Sequence, residues 1–368
     1  MVSFLDFNMK NCPAPNLEEL MGMDDRAIVI FGGSGVDECP IFDDVEWKTI
    51  DTGYKETRVV DKAAELQINF PEGLGPGVVE YQQIGNVFFI PRHGHEQRYG
   101  PSVTQYKANI LAGEMLVRDF LPDDKVDNAV FLATSAVGSL NSGLMDKLGT
   151  AFRKYMPKSV VKKVDSVAAK LGMEIPFEVQ VYDLVVPHDV KDESGKFDSV
   201  FGMGLIVHVN PRPLIDKGLS ALFSYKAKAN NYFNAVHEKG VAVIIPGDRF
   251  STEAEGVVRE KYGDIVGMTL IEAFSAIELG RRYAAATFVV DLDRDASHEH
   301  GTLKVMQDLS HSERVPAYMT EVMKGALQYA ATAGRTDHLK GAIIPANPDL
   351  IGIPKLRKIA RELVEKYC

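Results

Sequence analysis

The chain has 368 residues, 45% of them hydrophobic and 25% charged, which is ordinary for a globular protein with ample material for a core. The formal net charge of -10, with no basic tail, argues against a nucleic-acid partner. Three cysteines, Cys12, Cys39 and Cys368, lie far apart, which disfavours disulfide and zinc frameworks. Without a signal peptide or a membrane-length apolar run, the sequence predicts a cytoplasmic protein with no membrane partner.

Residues 1–26 are mixed in character and predict an N-terminal arm. The apolar residues 27–31 then predict a buried strand that runs into a glycine-rich turn at residues 32–35. The backbone N–H groups of such a turn, with the hydroxyl of Ser34, can hold a phosphate, although GGSG is equally a plain tight turn. Short alternating segments at residues 46–50, 58–60 and 67–70 predict hairpins at the edge of a sheet.

The most informative stretch covers residues 87–112. Residues 87–90 predict a buried strand, and the loop that follows concentrates cationic and hydrogen-bonding groups, led by Arg92 and His93. A helical pattern then begins near Pro101. The guanidinium fork of arginine matches phosphate geometry, and ligands of open α/β sheets bind just outside the carboxyl ends of strands. The sequence therefore predicts an anion site at Arg92 and His93.

Further buried strands are predicted along the rest of the chain. Residues 128–140 predict a buried strand followed by small hydroxyl residues, Thr134 and Ser135. Small residues at the end of a strand permit close approach of a ligand, but they also fit a plain strand-to-loop transition. Residues 142–176 predict a helical insertion, to which we assign no chemistry. Residues 282–293 predict a strand with Asp291 and Asp293 at its exit, on one face and about 7 Å apart.

Three separated segments resemble the purine nucleoside phosphorylases, and most closely the methylthioadenosine phosphorylases. They are RHG at residues 92–94 with PS and ANI downstream, TSAVGSL at residues 134–140, and GDIVGMT at residues 263–269. The resemblance implies an α/β sandwich around a mixed, mostly parallel β-sheet flanked by helices. It implies one nucleoside phosphorylase domain over residues 27–368. Two departures from the family pattern are the Asp248-Arg249 turn and the missing proline before Glu272.

The resemblance also implies roles for individual residues. Phosphate contacts are expected from Ser34, Arg92, His93 and Thr134. Phe250 is expected to stack on the purine and Met268 to lie under the ribose. Asp291 is expected to bind N7 and the 6-amino group, and with His93 it forms the expected catalytic pair. The full set of expected substrate-binding residues is Ala136, Phe250, Gly267, Met268, Thr269, Asp291 and Asp293.

The implied activity is that of a pentosyltransferase, a glycosyltransferase of purine salvage. Such an enzyme cleaves the N-glycosidic bond of a 6-aminopurine nucleoside, 5′-methylthioadenosine or adenosine, with inorganic phosphate as co-substrate. We expect no resident metal and no organic cofactor, and the resemblance implies a homotrimer. Three alternatives stay open: a 6-oxopurine phosphorylase, which family members mark with Asn in place of Asp291, a nucleosidase that uses water, and a non-catalytic nucleoside-binding protein.

Overall fold

The structure is a computed structural model. It describes residues 17–33, 42, 44–140, 156–157, 159–160, 163–164, 167, 179–196, 199–202, 204–293, 302–311, 314–344 and 347–367. Ser34, most of the predicted N-terminal arm and most of the predicted insertion at residues 142–176 therefore lie outside the described residues.

The strands are β1 (Ala27–Gly32), β2 (Lys48–Asp51), β3 (Val78–Ile84), β4 (Val87–Pro91), β5 (Ala129–Ser139), β6 (Leu184–Val185), β7 (Asp189–Asp192), β8 (Ile206–Val207), β9 (Val236–His237), β10 (Val241–Ile244), β11 (Ile265–Gly267), β12 (Arg282–Leu292) and β13 (Ile343–Ile344). The helices are α1 (Leu17–Met21), α2 (Thr57–Glu65), α3 (Tyr106–Phe120), α4 (Lys217–Ala229), α5 (Glu253–Arg259), α6 (Glu272–Glu278), α7 (Thr302–His311), α8 (Arg314–Ala333) and α9 (Pro354–Tyr367).

The centre of the main sheet is parallel. β1 lies between β4 and β5 and is parallel to both, and β12 runs parallel to β5 along its whole length. The short strand β11 pairs antiparallel with the end of β5. Beyond it, β10 is parallel to β11, and β7 is parallel to β10. The antiparallel strands β3 and β2 close the edge beyond β4. The predicted mixed, mostly parallel sheet is confirmed.

Helices cover both faces of this sheet. All six residues of β1 are buried, as are all five of β4, which requires cover on each side. α3 packs against β1 and α6, while α8 packs against α4, β1 and β5. One continuous apolar cluster runs through these elements from Met21 to Leu363. Among the described residues, no helix combines the length and the apolar character that crossing a bilayer requires.

Three expectations from the sequence differ from the fold. Residues 67–70 form no strand, because the chain turns at Gln67, which has a φ of +52°, and continues as irregular backbone. Residues 58–60 belong to α2 and are not a hairpin strand, because Val59 and Ala63 recur four positions apart and form the buried stripe of an amphipathic helix. β5 continues to Ser139, so Thr134 and Ser135 lie inside the strand instead of at its end.

Candidate active site

The carboxyl ends of β4 and β1 lie beside the middle of β5. The parallel register places Gly32 beside both Pro91 and Thr134, so the residues that follow are neighbours. The Arg92 N–H donates to the Gly32 carbonyl at 2.7 Å, and the Gly33 N–H donates to the Thr134 carbonyl at 2.8 Å. A Cβ at Gly33 would lie only 2.5 Å from Nη1 of Arg92, so this position requires glycine.

The guanidinium of Arg92 is fixed by a buried carboxylate. Its Nε donates to Oε1 of Glu272 at 2.6 Å and its Nη2 to Oε2 at 3.2 Å, with both side chains 0% exposed. Burial alone lowers the pKa of Arg92, but the carboxylate of Glu272 more than offsets this, so the pKa is raised. Nη1 turns towards the hydroxyl of Ser135, 3.4 Å away, and this edge of the guanidinium faces the turn at Gly33.

His93 is held as a neutral ring with a defined tautomer. Burial, followed by repulsion from Arg92, lowers the pKa of His93 to about 4. Its Nδ1 lies 3.1 Å from the Tyr99 carbonyl and 2.8 Å from the hydroxyl of Thr104. Since a carbonyl only accepts and Thr104 can donate to the Gly100 carbonyl at 3.0 Å, the network assigns the proton to Nδ1. Nε2 is then the acceptor of the ring.

Two buried hydroxyls lie on neighbouring elements of the same region. Thr134 and Thr269 are both 0% exposed, and within the part of the chain that the structure describes Oγ1 of each has no hydrogen-bond partner. A buried hydroxyl without a partner costs free energy, and native proteins rarely keep one without a reason. Such groups are suited to binding a ligand oxygen.

Helix α2 supports the Arg92–His93 loop from outside. Arg58 donates to the carbonyls of Ser102 and Thr104, at 2.5 and 2.8 Å. Oε1 of Glu56 accepts from the Lys107 N–H at 2.8 Å at the start of α3. Sequence reasoning missed these residues because it assigned this segment to a hairpin.

A second group of predicted residues surrounds Met268. The hydroxyl of Tyr106 lies 3.9 Å from its Sδ. Gly247 has a φ of +94° and packs so closely that a Cβ there would lie 1.8 Å from Sδ. A Cβ at Gly267 would lie 3.5 Å from the carbonyl oxygen of Ala136, so the end of β11 packs against β5. The register of the two strands thus gathers Ala136, Gly267 and Met268.

The acid pair follows the end of β12. The pairing with β5 shifts between Val289 and Asp291, which brings Asp291 opposite Gly138. Oδ1 of Asp291 lies 2.3 Å from where a Cβ of Gly138 would be, so glycine makes room for this carboxylate. The hydroxyl of Thr302 lies 3.4 Å from Oδ2 of Asp291. Both Asp291 and Asp293 are half-buried.

A chain of side chains orients Asp293. The hydroxyl of Ser251 donates to Oδ1 of Asp293 at 2.7 Å, and Nη1 of Arg259 donates to the same hydroxyl at 2.7 Å. Arg259 is in turn held by Glu193, with Nε 2.8 Å from Oε2. This series of hydrogen bonds ties the segment after β10 to the end of β12.

The predicted stacking residue lies in a more open environment. Phe250 is 58% exposed, on the segment between β10 and α5. Its neighbour Arg249 forms a two-point pair with Glu255, at 2.7 and 2.8 Å, and Glu255 also completes the capping box of α5 with Thr252. The Asp248-Arg249 turn, which departs from the family pattern, is therefore stabilised by the carboxylate of Glu255 in α5.

The predicted residues thus fall into two groups along one edge of the sheet. Arg92 and His93 follow β4, Thr134 lies inside β5 beside Gly32, and Ala136, Gly267, Met268 and Thr269 adjoin them where β5 pairs with β11. Asp291 and Asp293 follow at β12, which pairs with β5. Phe250 lies in an exposed segment. Sequence reasoning also missed Glu272, although a glutamate inside the apolar pattern of α6 was an available signal.

Comparison with known proteins supports the resemblance. No family model matches the chain. The S-methyl-5′-thioadenosine phosphorylase of Pyrobaculum aerophilum is 30% identical over 302 residues, covering 80% of this chain and 85% of that protein. The enzyme of the same name from Pyrococcus furiosus is 28% identical over 288 residues, covering 78% and 87%.

Solved structures agree with the fold. A methylthioadenosine phosphorylase from an Antarctic soil metagenomic library has a TM-score of 0.57 at 20% identity, covering 92% of this chain and 99% of that chain. The methylthioadenosine phosphorylase of Schistosoma mansoni in complex with adenine has a TM-score of 0.56 at 20% identity, covering 93% and 98%. The chain belongs to the S-methyl-5′-thioadenosine phosphorylase family of pentosyltransferases.

Proposed function

We propose that this protein cleaves the N-glycosidic bond of 5′-methylthioadenosine with inorganic phosphate. The products are adenine and 5-methylthioribose 1-phosphate. The observation that carries the proposal is the buried guanidinium of Arg92, held in place by Glu272, on the same side of the sheet as the acid pair Asp291 and Asp293, whose strand β12 pairs with β5. The names of the relatives agree with this substrate.

The phosphate would lie against Gly33, Nη1 of Arg92 and the hydroxyl of Ser135. The buried hydroxyls of Thr134 and Thr269 would supply further donors, and phosphate would thereby satisfy them. His93, neutral near pH 7, would accept a hydrogen bond from the P–OH group of the phosphate through Nε2. Because Glu272 balances the charge of Arg92, this site would select phosphate through hydrogen-bond donors that point at its oxygens more than through net charge.

The ribose would lie over Met268, between the two groups of residues. As the bond from C1′ to the purine breaks, positive charge develops on the ribose, and the bound phosphate stabilises this charge and then attacks C1′. A polarizable thioether tolerates a flattened, cationic sugar. Close packing of Gly247 and Tyr106 against Met268 supports a fixed position for this side chain.

The purine would bind between Phe250 and the acid pair. Asp291 would protonate N7 or hold it through a hydrogen bond, so that the base leaves as a neutral molecule. The hydrogen bond from Ser251 to Asp293 anchors the segment that carries Phe250. The presence of an aspartate at position 291 favours a 6-aminopurine over a 6-oxopurine, which would need a donor there.

We also propose that the protein assembles as a homotrimer and acts in the cytoplasm in purine salvage, as the family resemblance implies. Light scattering coupled to size-exclusion chromatography tests the trimer. A mass of one chain at micromolar concentration would contradict it.

The decisive experiment measures base release from methylthioadenosine, adenosine and inosine, each with and without phosphate. We expect phosphate-dependent release of adenine from methylthioadenosine. In an Asp291→Asn variant kcat should fall by about 10²- to 10⁴-fold, the usual contribution of a general acid. Release without phosphate would instead indicate a nucleosidase, and preference for inosine would indicate a 6-oxopurine enzyme. Binding without release by folded protein would refute the proposed activity.

A further inference from the structure

Lys196 lies between the two halves of the site, on the segment after β7. We call residues 92–105 the phosphate loop and residues 245–252 the base loop. Nζ of Lys196 donates to the Pro246 carbonyl of the base loop at 2.8 Å and to the Pro101 carbonyl of the phosphate loop at 3.3 Å. A single ammonium group thus bridges two loops that are far apart in sequence.

The bridge closes a ring of contacts around Met268, the position proposed for the ribose. Nζ of Lys196 lies 5.1 Å from the ring centroid of Tyr106, at a distance suited to a cation–π interaction. The hydroxyl of Tyr106 contacts Met268, and Met268 packs on Gly247, which directly follows Pro246. A displacement of either loop therefore strains contacts made by the other.

Charged or titratable groups lie on each of the elements that pack against Lys196. Arg58 and Glu56 lie at the start of α2, Asp192 at the end of β7, Asp248 in the base loop, and His93 in the phosphate loop. Burial, followed by repulsion from Arg58, lowers the pKa of Lys196 to about 8. The bridging ammonium is therefore present below about pH 8 and is lost as the pH rises through that value. A bound anion near His93 raises this pKa and keeps the bridge intact.

We propose that Lys196 is a positioning residue that couples phosphate binding to base binding by holding the phosphate loop and the base loop together. Phosphate favours the charged form of Lys196, and the charged form keeps the base loop in place, which lowers the ordering cost of binding the purine. This inference rests on the proposed function for the identity of the two ligands. By linkage, adenine must raise the affinity for phosphate by the same factor.

The test measures the Kd of adenine by calorimetry, with and without saturating phosphate, at pH 7 and pH 9. In the wild type we expect a coupling factor close to one at pH 7, where Lys196 is already mostly charged, and a tightening of adenine binding by phosphate of up to about 10-fold at pH 9, where most of Lys196 is neutral without phosphate. Without phosphate, adenine binding should weaken from pH 7 to pH 9. Lys196→Met should bring the coupling factor close to one. Lys196→Arg, which keeps the charge and the donors at both pH values, should bind adenine as tightly at pH 9 as at pH 7, with a coupling factor close to one at both.

Lys191→Met is the matched control, because Lys191 is an exposed lysine of β7 that donates only weakly, at 3.3 Å, to the Asp192 carbonyl. It should behave as the wild type does. An unchanged coupling factor in Lys196→Met would overturn the proposal, as would equal weakening of both ligands without a change in the factor. A factor of one in the wild type at pH 9 would also overturn it. Binding needs no turnover, so failure of the proposed catalysis shows separately, as absence of adenine release.

Discussion

Arg92, which follows β4, and Arg249, in the segment between β10 and α5, each form a two-point ion pair with a glutamate. The side chains of Arg92 and Glu272 are both 0% exposed, whereas those of Arg249 and Glu255 are 64% and 32% exposed. The same pairing therefore has different consequences. Water cannot replace either partner of the buried pair, so Glu272 fixes the position of Arg92. In the exposed pair, water competes for both partners and salt screens their attraction.

This contrast extends to the two loops that carry these arginines. In the phosphate loop His93 is buried and hydrogen-bonded to Thr104, so its donors and acceptors are set before any ligand arrives. In the base loop Phe250 is exposed, and one hydroxyl, that of Ser251, ties the loop to the acid pair. A small ion of fixed shape suits a rigid site, whereas a nucleoside that must enter and leave suits a more open one.

The largest expected effect comes from breaking the buried pair. Glu272→Ala leaves the guanidinium of Arg92 buried without its counter-charge, and we expect a loss of about 3–5 kcal/mol in the free energy of unfolding. Urea denaturation measures it. Asp349→Ala, which removes a carboxylate paired with Arg361 at the surface, is the control and should change little. Equal losses in the two variants would remove the physical basis of the comparison.

Protonation of His93 gives the next largest effect. Its pKa is about 4 in the folded protein against an ordinary value of 6.5, so between these values the unfolded chain binds the extra proton. The free energy of unfolding should therefore fall as the pH drops from 6.5 to 4, by roughly 3 kcal/mol from this residue. His93→Asn should show a shallower slope than the wild type in acid denaturation. Identical slopes would mean that His93 is not held neutral.

Phe250 tests the open half of the site. Base–aromatic stacking contributes about 1–3 kcal/mol, so Phe250→Ala should raise the KM for methylthioadenosine roughly 5- to 150-fold. Because the side chain is exposed, stability and the KM for phosphate should stay near those of the wild type. Val258→Ala, an equally exposed apolar residue of α5, is the control. A marked loss of stability in Phe250→Ala would show that this half is as rigid as the other.

The smallest effect is expected at the exposed pair. Arg249→Met removes a partner that solvent can replace, so the urea midpoint should hardly move, and the small change should shrink further in high salt. A midpoint shift as large as that of Glu272→Ala would contradict the comparison.

Much of this protein could be predicted from local sequence. Continuous apolar runs identified the strands at residues 27–31, 87–90 and 282–293, because a parallel strand buried on both faces has no polar positions. The concentration of Arg92 and His93 after a strand, and of two aspartates in another, indicated the candidate positions for ligand binding. These signals need only a few neighbouring residues.

Other features arise from contacts between distant segments. The partner of Arg92 is 180 positions away in Glu272, and no local pattern predicts that pairing. The support of the phosphate loop by Glu56 and Arg58, and the bridge made by Lys196, likewise depend on which loops the sheet places side by side. Sequence determined the strands and the chemistry at their ends, because burial and residue type are local properties. Only the tertiary structure decided which of those ends meet, because strand register and order join residues that the chain keeps far apart.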